Sequence, residues 1–266
     1  MILDKNSLKI NLEEAAKFTT AFIKNTVEGS GASGVVIGLS GGVDSSLAAA
    51  LCVRALGQDK VLGVLMPTEF TPSEDVEDAL ELAKVLGIRT AFVDVQRIVD
   101  AFLKSLDISK DSAELRMVRA NILARTRMVI LYCYANVNKY LIVGTGDKSE
   151  ALIGYFTKYG DGAADFFPIR HLYKTQVREL ARYIGISEKI AYKPSSPQLY
   201  PGHKVTDEIP LDYDQLDLIL LGLFDYKMTP VEVSQATGIP LKTIIEVQER
   251  HNKTEHKRVS PPMIKD

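Results

Sequence analysis

Short apolar segments alternate with amphipathic segments along the first two thirds of the chain. The apolar segments are rich in aliphatic residues and predict strands inside a parallel sheet; they cover residues 35–39, 60–67, 89–95 and 140–143. The amphipathic segments have apolar residues at helical spacing; they cover residues 11–31, 73–87, 113–139 and 174–184. This alternation predicts an α/β fold, an open, doubly wound, mainly parallel sheet flanked by helices, whose ligands bind at the carboxyl ends of the strands.

The pattern changes in the last third of the chain. Residues 192–212 contain four prolines among polar residues and predict a loop that could close over a ligand. From about residue 211 the pattern is helical. Two short helical segments there flank Thr237-Gly238-Ile239 with the spacing of a DNA-binding helix-turn-helix.

The second of these two helices is a poor candidate for reading a DNA groove. It carries the acidic residues Glu246 and Glu249, which would face a polyanion. Its apolar residues Ile244, Ile245 and Val247 require burial. We therefore expect this helix to pack within the C-terminal part of the chain.

The composition indicates one folded domain without a nucleic-acid or membrane partner. The 266 residues are 46% hydrophobic, so the simplest organisation is a single domain over residues 1–266. The net charge of −2 gives no electrostatic reason to bind nucleic acid, and no stretch of about 20 apolar residues predicts a membrane span. Cys52 and Cys133 lie in apolar helical patterns, so we expect buried thiols in a soluble, cytoplasmic protein.

The most informative stretch is VVIGLSGGVDSSLAAAL, at residues 35–51. Its strand ends at Ser40-Gly41-Gly42, which allow a tight turn with bare backbone N–H groups, and a helix begins immediately afterwards. This arrangement forms an anion site that suits phosphate. The stretch lacks the lysine of a P-loop and the Gly-x-Gly-x-x-Gly of a dinucleotide fold. Because Asp44 would repel a phosphate, it either caps the helix or holds a hard divalent cation.

A second informative loop follows the fourth predicted strand, at residues 144–167. It is rich in glycine and carries charges of both signs together with the aromatic residues Tyr155, Phe156, Tyr159, Phe166 and Phe167. A loop of this length at a strand end is typical of a functional site. Aromatic rings beside charges suit a ligand that has a planar ring and phosphate or carboxylate groups.

Several short motifs occur in the order found in one enzyme family. They are S-G-G-V-D-S-S, A-R-T-R-M, G-T-G-D-K-S-E, G-Y-F-T-K-Y-G-D-G, L-Y-K-T-Q-V, K-P-S-S and T-E-H-K-R, and they span residues 38–258. The first motif resembles the pyrophosphate loop of the N-type ATP pyrophosphatases. The whole set resembles the NH3-dependent NAD synthetases of that superfamily, which implies a Rossmann-like fold of the adenine nucleotide alpha hydrolase type.

The resemblance implies roles for individual residues. Catalytic roles fall on Asp44, Lys174 and Asp165, and Mg²⁺ would be held by Asp44 and Glu150. The implied ATP-binding residues are Gly38, Leu39, Ser40, Gly41, Gly42, Val43, Asp44, Ser45, Thr145, Lys174 and Ser196. The implied deamido-NAD-binding residues are Arg125, Lys158, Asp165, His256 and Lys257.

Three of these residues also have an interpretation from the pattern alone. Arg125 lies among other arginines that would otherwise form a solvated helix face. Lys174 stands in the first turn of a predicted helix, where a cation opposes the helix dipole. It therefore requires an anion nearby, unless it is a surface residue. His256 would otherwise belong to a solvated tail.

The implied reaction is the last step of NAD biosynthesis. The nicotinate carboxylate of deamido-NAD would attack the α-phosphate of ATP and release pyrophosphate, and ammonia would then displace AMP to give NAD+. Mg²⁺ and the backbone N–H groups of residues 40–42 would stabilise the phosphate charge. The resemblance also implies a homodimer, to which the helix at residues 113–139 contributes.

Free ammonia is the expected nitrogen donor. The chain has no segment left over for a glutaminase domain, and neither cysteine lies in a nucleophile-like context. A separate glutaminase subunit stays possible.

Two other functions are compatible with the sequence. The ATP-pyrophosphatase subunit of a GMP synthetase has a similar S-G-G-V-D-S-S loop, and turnover of xanthosine monophosphate would identify it. An ATP sensor or DNA-binding regulator could use the helix-turn-helix-like segment. That second alternative leaves Asp44 and Glu150 unexplained.

Overall fold

Parallel strands form the sheet that the sequence predicts. The computed structural model describes residues 2–106, 115–194 and 211–264. The strands are β1 (Gly34–Gly38), β2 (Val61–Leu65), β3 (Arg89–Phe92) and β4 (Tyr140–Ile142). Their order is β3-β2-β1-β4, and every pairing is parallel. The order reverses between β1 and β4, so the loops that follow these two strands meet at the point where open α/β sheets bind ligands.

Helices alternate with the strands and then continue alone. They are α1 (Leu12–Ser30), α2 (Val43–Leu56), α3 (Ser73–Leu86), α4 (Val95–Ser105), α5 (Arg116–Asn138), α6 (Lys148–Ile153), α7 (Lys174–Tyr183), α8 (Glu188–Ala191), α9 (Tyr213–Leu220), α10 (Pro230–Thr237) and α11 (Leu241–Lys253).

The sheet is covered by helices on both faces. Along β1, Val35 and Ile37 pack into a core with α1, α2, α3 and α7, whereas Val36 packs into a separate core with α4 and α5. Successive side chains of a strand point to opposite faces, so this alternation places one helical layer on each side. The predicted doubly wound α/β fold is confirmed.

The helix α4 is not predicted from the sequence. The apolar pattern predicts a strand to residue 95, but β3 ends at Phe92. Asp94 then caps a helix, because its side chain accepts the backbone N–H of Arg97 at 3.4 Å. Val95, Val99 and Leu103 recur at four-residue spacing. They are buried in the same core as Val36 of β1.

The last residues of the second loop lie along the outer side of β4. Val143 pairs with Phe166 in a parallel bridge, and the N–H of Gly144 donates to the Phe166 carbonyl at 2.9 Å. Asp165 completes the pairing: its N–H donates to the Ile142 carbonyl at 3.1 Å, and its carboxylate accepts the Ile142 N–H at 2.7 Å. The end of the second loop is thereby fixed to the sheet.

The C-terminal helices form a core of their own. Residues of α9, α10 and α11 pack together with Ile153 of α6 and Tyr173, which precedes α7. In α11, Ile244 and Val247 are buried as predicted, but Ile245 is 39% exposed, so the prediction for that residue is wrong. Glu246 and Glu249 lie near lysines of their own helix, at 3.9 and 3.3 Å.

The two cysteines differ in exposure. Cys52 is buried in α2, whereas Cys133 is exposed on α5, so the prediction of two buried thiols is wrong for Cys133. α5 packs one side against the sheet, and residue 133 lies on an exposed side. Because the apolar pattern continues around this helix, the sequence does not show which side is covered. No helix within the described ranges has the length and apolar character needed to span a bilayer. Most of the predicted loop at 192–212, including Ser196, falls outside the described residues.

Candidate active site

The loop between β1 and α2 has the backbone expected of a tight turn. β1 ends at Gly38, and α2 begins at Val43. Gly41 has a positive φ of 77°, and a Cβ at this position would lie 2.2 Å from the carbonyl oxygen of Asp75. Both the conformation and the close approach of α3 therefore require glycine here.

The sequence predicts bare N–H groups in this loop, but in the structure two of them have side-chain partners. The N–H of Ser40 donates to the Ser45 hydroxyl, and the N–H of Gly42 donates to the Ser40 hydroxyl, each at 3.3 Å. The Ser45 hydroxyl in turn donates to the Gly42 carbonyl at 3.1 Å. The sequence pattern misses these contacts because short serine side chains can replace a ligand in a loop of this size. They are long hydrogen bonds, which a phosphate oxygen could replace.

Lys174 lies at the centre of the site. Its ammonium contacts both oxygens of Asp44 at 2.8 and 2.7 Å, Glu150 at 2.9 Å and Asp147 at 2.9 Å. Asp44 belongs to α2, Asp147 and Glu150 to the start of α6, and Lys174 to the start of α7. We call these four residues the Lys174 cluster. It joins the β1 loop to the β4 loop, and it supplies the anion that the sequence analysis requires beside Lys174.

Burial and like charge dominate the electrostatics of the Lys174 cluster. Burial raises the pKa of Glu150 to about 8, and the charge of Asp147 adds to this effect. Burial likewise raises the pKa of Asp147. For Lys174, burial acts to lower the pKa, but the surrounding carboxylates outweigh it and raise the pKa above its ordinary value. The cluster therefore keeps its lysine charged and carries an excess of acidic groups.

The main chain of Lys174 is anchored from beneath. Its N–H donates to the Ser149 hydroxyl at 3.0 Å, and that hydroxyl donates to the Asp217 carboxylate at 2.5 Å. The second oxygen of Asp217 accepts the N–H of Thr175 at 2.8 Å. These partners satisfy N–H groups in the first turn of α7 that the helix itself leaves free. The fully buried Asp217 of α9 thus connects the C-terminal helices to the site, and burial raises its pKa to about 6.

The aromatic residues of the second loop range from buried to exposed, and most of them contact other parts of the protein. Phe166 is buried in the core beside α1 and α2. Phe167 covers Gly144, where a Cβ would lie 2.2 Å from its ring. The guanidinium of Arg170 lies over both Phe167 and Phe156, at 4.0 and 5.2 Å from the ring centres. Tyr159 is exposed, 5.3 Å from the ammonium of Lys158.

The structure brings together four of the predicted deamido-NAD residues. Arg125 of α5 donates to the carbonyl of Lys158 at 3.3 Å, and Lys158 donates to the carbonyl of His256 at 2.6 Å. Lys257 donates to the carbonyls of Gly154 and Phe156, each at 2.8 Å. The turn after α11 is thus fixed to the second loop. The fifth residue, Asp165, has its carboxylate at the outer side of β4.

Four residues of the site were not singled out from the sequence: Asp147, Ser149, Arg170 and Asp217. Asp147 and Ser149 shortly precede the predicted Glu150 in G-T-G-D-K-S-E, so the motif itself was the available signal. Asp217 lies in a helix whose sequence gives no indication of its distant partners. Its place among the apolar residues of α9 was the only local signal, because a buried carboxylate needs hydrogen-bond partners.

Comparisons with known proteins agree with this geometry. A model of the NAD synthase family matches residues 15–261. The NH(3)-dependent NAD(+) synthetase of Hyperthermus butylicus is 50% identical over 256 residues, which are 96% of this chain and 91% of that protein. An NH3-dependent NAD synthetase from Campylobacter jejuni is 32% identical, with a TM-score of 0.80 over 97% of this chain and 100% of that one. An NMN synthetase from Francisella tularensis is 30% identical, with a TM-score of 0.84 over 96% and 99%. This chain therefore belongs to the NAD synthase family.

Proposed function

We propose that this chain is an NH3-dependent NAD+ synthetase, a ligase that uses ATP to convert the nicotinate carboxylate of deamido-NAD into the amide of NAD+. The observation that carries the proposal is the Lys174 cluster, which joins the phosphate loop after β1 to the loop after β4. The 50% identity with the Hyperthermus butylicus enzyme supports the same activity. The GMP synthetase alternative is not favoured, because the relatives described above are NAD and NMN synthetases.

ATP would bind at the carboxyl ends of β1 and β4. Residues 38–45 would surround its phosphates, with N–H groups of the turn exchanging serine hydroxyls for phosphate oxygens. Thr145 would add a contact from the β4 loop, and Lys174 would turn its ammonium towards the phosphates. Ser196 stays a predicted ATP contact.

Asp44 and Glu150 would hold the Mg²⁺ ion. Their side chains are 22% and 20% exposed, so a ligand can reach both. Two carboxylates, completed by phosphate oxygens and water, are a donor set that Mg²⁺ commonly takes. Because burial raises the pKa of Glu150, binding of the ion there would release the proton that this carboxyl otherwise holds. When bound, the ion would neutralise charge on the phosphates of ATP.

Deamido-NAD would bind on the surface formed by Arg125, Lys158, His256 and Lys257. These residues bring cationic groups from α5, the second loop and the turn after α11 to one place, which suits the pyrophosphate of the substrate. Asp165 stays a predicted contact and catalytic residue.

Catalysis would consist of positioning and charge stabilisation. A nicotinate carboxylate oxygen attacks the α-phosphorus, and the bond to the pyrophosphate oxygen breaks. The Lys174 ammonium and the N–H groups of residues 40–42 stabilise the charge that develops on the leaving group. Ammonia then attacks the carboxyl carbon, AMP leaves with the bond electrons, and a proton is lost from nitrogen to give the amide.

We also propose a single NAD synthetase domain that takes free ammonia and acts in the cytoplasm. The name and near full-length match of the Hyperthermus butylicus relative support ammonia as the donor. Cys52 and Cys133 are unpaired thiols, which fits a reducing compartment. A separate glutaminase subunit could still supply the ammonia.

A homodimer would form through α5. Val129, Cys133 and Val137 are exposed on this helix at four-residue spacing, and Arg125 stands one turn before them on the same side. The proposed deamido-NAD surface is therefore continuous with an apolar stripe that a second copy of the chain would cover.

Val137→Asp should convert the dimer to a monomer, because it places a charge in the proposed apolar interface. Light scattering would measure the mass, and a thiol reagent should modify Cys133 faster in the variant. Val85→Asp is the matched control, since Val85 is exposed on α3. A wild-type protein that is monomeric at micromolar concentration would contradict the proposed dimer.

The activity is tested by measuring AMP, pyrophosphate and NAD+ formed from ATP, Mg²⁺ and deamido-NAD, with ammonium or glutamine. We expect equimolar products with ammonium. Asp44→Ala should lower kcat at least about a hundredfold, because it removes a proposed metal ligand. Asp59→Ala, in the turn before β2, is a matched control that should retain full activity.

Two competing substrates sharpen this experiment. Nicotinate mononucleotide tests the activity that the name of the Francisella tularensis structure suggests, and xanthosine monophosphate tests the GMP synthetase alternative. Preferential turnover of either compound would contradict deamido-NAD as the substrate. Activity with glutamine alone would contradict free ammonia as the donor.

A further inference from the structure

Asp147 differs from the other carboxylates of the Lys174 cluster in its accessibility. Its side chain is 0% exposed, whereas those of Asp44 and Glu150 are 22% and 20% exposed. One oxygen of Asp147 caps α6 by accepting the Glu150 N–H at 2.8 Å. The other lies 2.9 Å from the Lys174 ammonium, as an ion pair outside hydrogen-bond geometry. Both oxygens are thus directed to protein groups and not to a ligand.

Lys174 itself is fully buried, so the identity of its partners matters. A buried ammonium without a counter-charge is strongly unfavourable. If Asp44 and Glu150 turn to a metal ion, Lys174 loses two of its three carboxylate contacts. Asp147 is the remaining one, and its role as the cap of α6 holds it in place.

The backbone around Lys174 offers it little freedom to follow a departing partner. Ser149 and Asp217 fix the first turn of α7 through the N–H groups of Lys174 and Thr175. Only the side chain of Lys174 can then redistribute between the carboxylates and a phosphate. A fixed anion at the base of this movement would keep the ammonium aimed at the site.

We propose that Asp147 is a positioning residue, which keeps the Lys174 ammonium paired and in place while Asp44 and Glu150 bind Mg²⁺. The inference rests on the proposed function for its metal ligands and deepens it. It predicts that metal binding at Asp44 and Glu150 depends on Asp147, although Asp147 does not touch the metal.

The substitution Asp147→Asn isolates the charge of this residue. Asparagine has nearly the same shape and is as good a helix N-cap as aspartate, so α6 keeps its first turn. Asp94→Asn is the matched control, because Asp94 caps α4 in the same way through the N–H of Arg97.

The first measurement is calorimetric titration of the nucleotide-free protein with Mg²⁺, and with Mn²⁺ as a second probe. We expect Asp147→Asn to weaken binding by about 10- to 100-fold, the usual effect of removing a group that supports metal ligands. Asp94→Asn should bind as the wild type does. Unchanged affinity in Asp147→Asn would overturn the inference.

A double-mutant cycle separates pairing with Lys174 from a general loss of negative charge. In a Lys174→Met background there is no ammonium to keep paired, so adding Asp147→Asn should change the metal affinity by less than about threefold. An equal loss of affinity with and without Lys174 would overturn the inference, because Asp147 would then act on the metal through its field alone.

Steady-state kinetics provide a test that does not need the Lys174 variant to fold. Asp147→Asn should lower kcat about tenfold or more, with the KM for deamido-NAD unchanged, because Arg125 and Lys158 are untouched. An equal change in both parameters would contradict a role at Lys174. Asp44→Asn separates the proposed metal ligands from the positioning role of Asp147. Metal binding that survives Asp44→Asn would refute the proposed metal ligands. Metal binding that is lost in Asp44→Asn but kept in Asp147→Asn would refute only the positioning role.

Discussion

Two groups of lysines and carboxylates hold distant parts of this chain together, and they differ in charge balance. The Lys174 cluster has one ammonium among three carboxylates. The second group, which we call the α3–α8 cluster, contains Lys189 and Lys193 paired with Glu74, Asp75 and Asp78. It connects the first turns of α3 to α8 and the residues after it.

The lysines of the two clusters also differ in their exposure to solvent. Lys174 is 0% exposed, whereas Lys189 is 54% and Lys193 is 18% exposed. In the α3–α8 cluster, burial alone would raise the pKa of Asp78, but hydrogen bonds from Lys189 and Lys193 outweigh it and lower the pKa below its usual value. In the Lys174 cluster the effect of burial outweighs that of the lysine, so the pKa values of Asp147 and Glu150 are raised.

The difference shows how the same residue types serve two purposes. Where lysines nearly match carboxylates in number and their ammonium groups are partly exposed, ion pairs connect helices to each other. Where three carboxylates surround one fully buried ammonium, burial makes two of them hold protons more tightly, and an incoming cation would displace those protons. Charge balance and burial, more than residue identity, distinguish the candidate active site from a structural contact.

Replacing the lysine at the centre of each cluster should give the largest difference in stability between the two clusters. Lys174→Met leaves buried carboxylates without a counter-charge and should reduce the free energy of unfolding by about 3–5 kcal/mol. Lys193→Met should cost roughly 1–2 kcal/mol, because Lys189 remains on Asp78 and solvent is near. Urea unfolding of both variants would measure the difference. Equal losses would contradict the distinction between the clusters.

A smaller contrast should appear in the pH dependence of stability. The pKa of Asp217, beneath Lys174, is raised to about 6, so the folded protein binds this proton more tightly than the unfolded chain. Its contribution to the free energy of unfolding should therefore rise by roughly 2–3 kcal/mol as pH falls from 6 to 4. Asp78 has a lowered pKa, so its contribution is present above pH 4 and is lost as pH falls further.

Urea unfolding at pH 7, 5 and 4 would measure these two opposite pH dependences of the free energy of unfolding. Asp217→Asn should remove part of the increase in the free energy of unfolding between pH 6 and 4. Asp78→Asn should lower the free energy of unfolding at pH 7. Asp214→Asn is the matched control on the same helix, since Asp214 makes a surface ion pair with Lys5. A gain on acidification that is identical in Asp217→Asn and wild type would contradict the assignment to Asp217.

The sequence predicts those parts of the fold and site that depend on local pattern. Each strand and its following loop could be located because a buried strand and a glycine turn have short-range signatures. The requirement for an anion near Lys174 was likewise local, since it follows from a cation in the first turn of a helix.

Contacts between residues far apart in the sequence were harder to predict from the sequence pattern. Asp217 meets Ser149 from a helix 68 residues away, and no periodicity encodes that meeting. Cys133 was expected to be buried because α5 is apolar on more than one side, and pattern alone does not say which side the sheet covers. The serine contacts inside the phosphate loop were missed because they depend on side-chain rotation within a turn.

The segment at residues 165–167 gives the sheet two unlike edges. Beside β4, Asp165 and Phe166 occupy backbone groups that another molecule's strand could otherwise use. β3 lies at the opposite end of the described sheet, and Arg89, Thr90 and Phe92 are exposed there. If the protein opens partially, aggregation by strand addition would begin at β3, where the charge of Arg89 opposes it. The two edges of the sheet are therefore protected from aggregation in different ways. A segment of the chain covers the edge at β4, and a charged side chain protects the edge at β3.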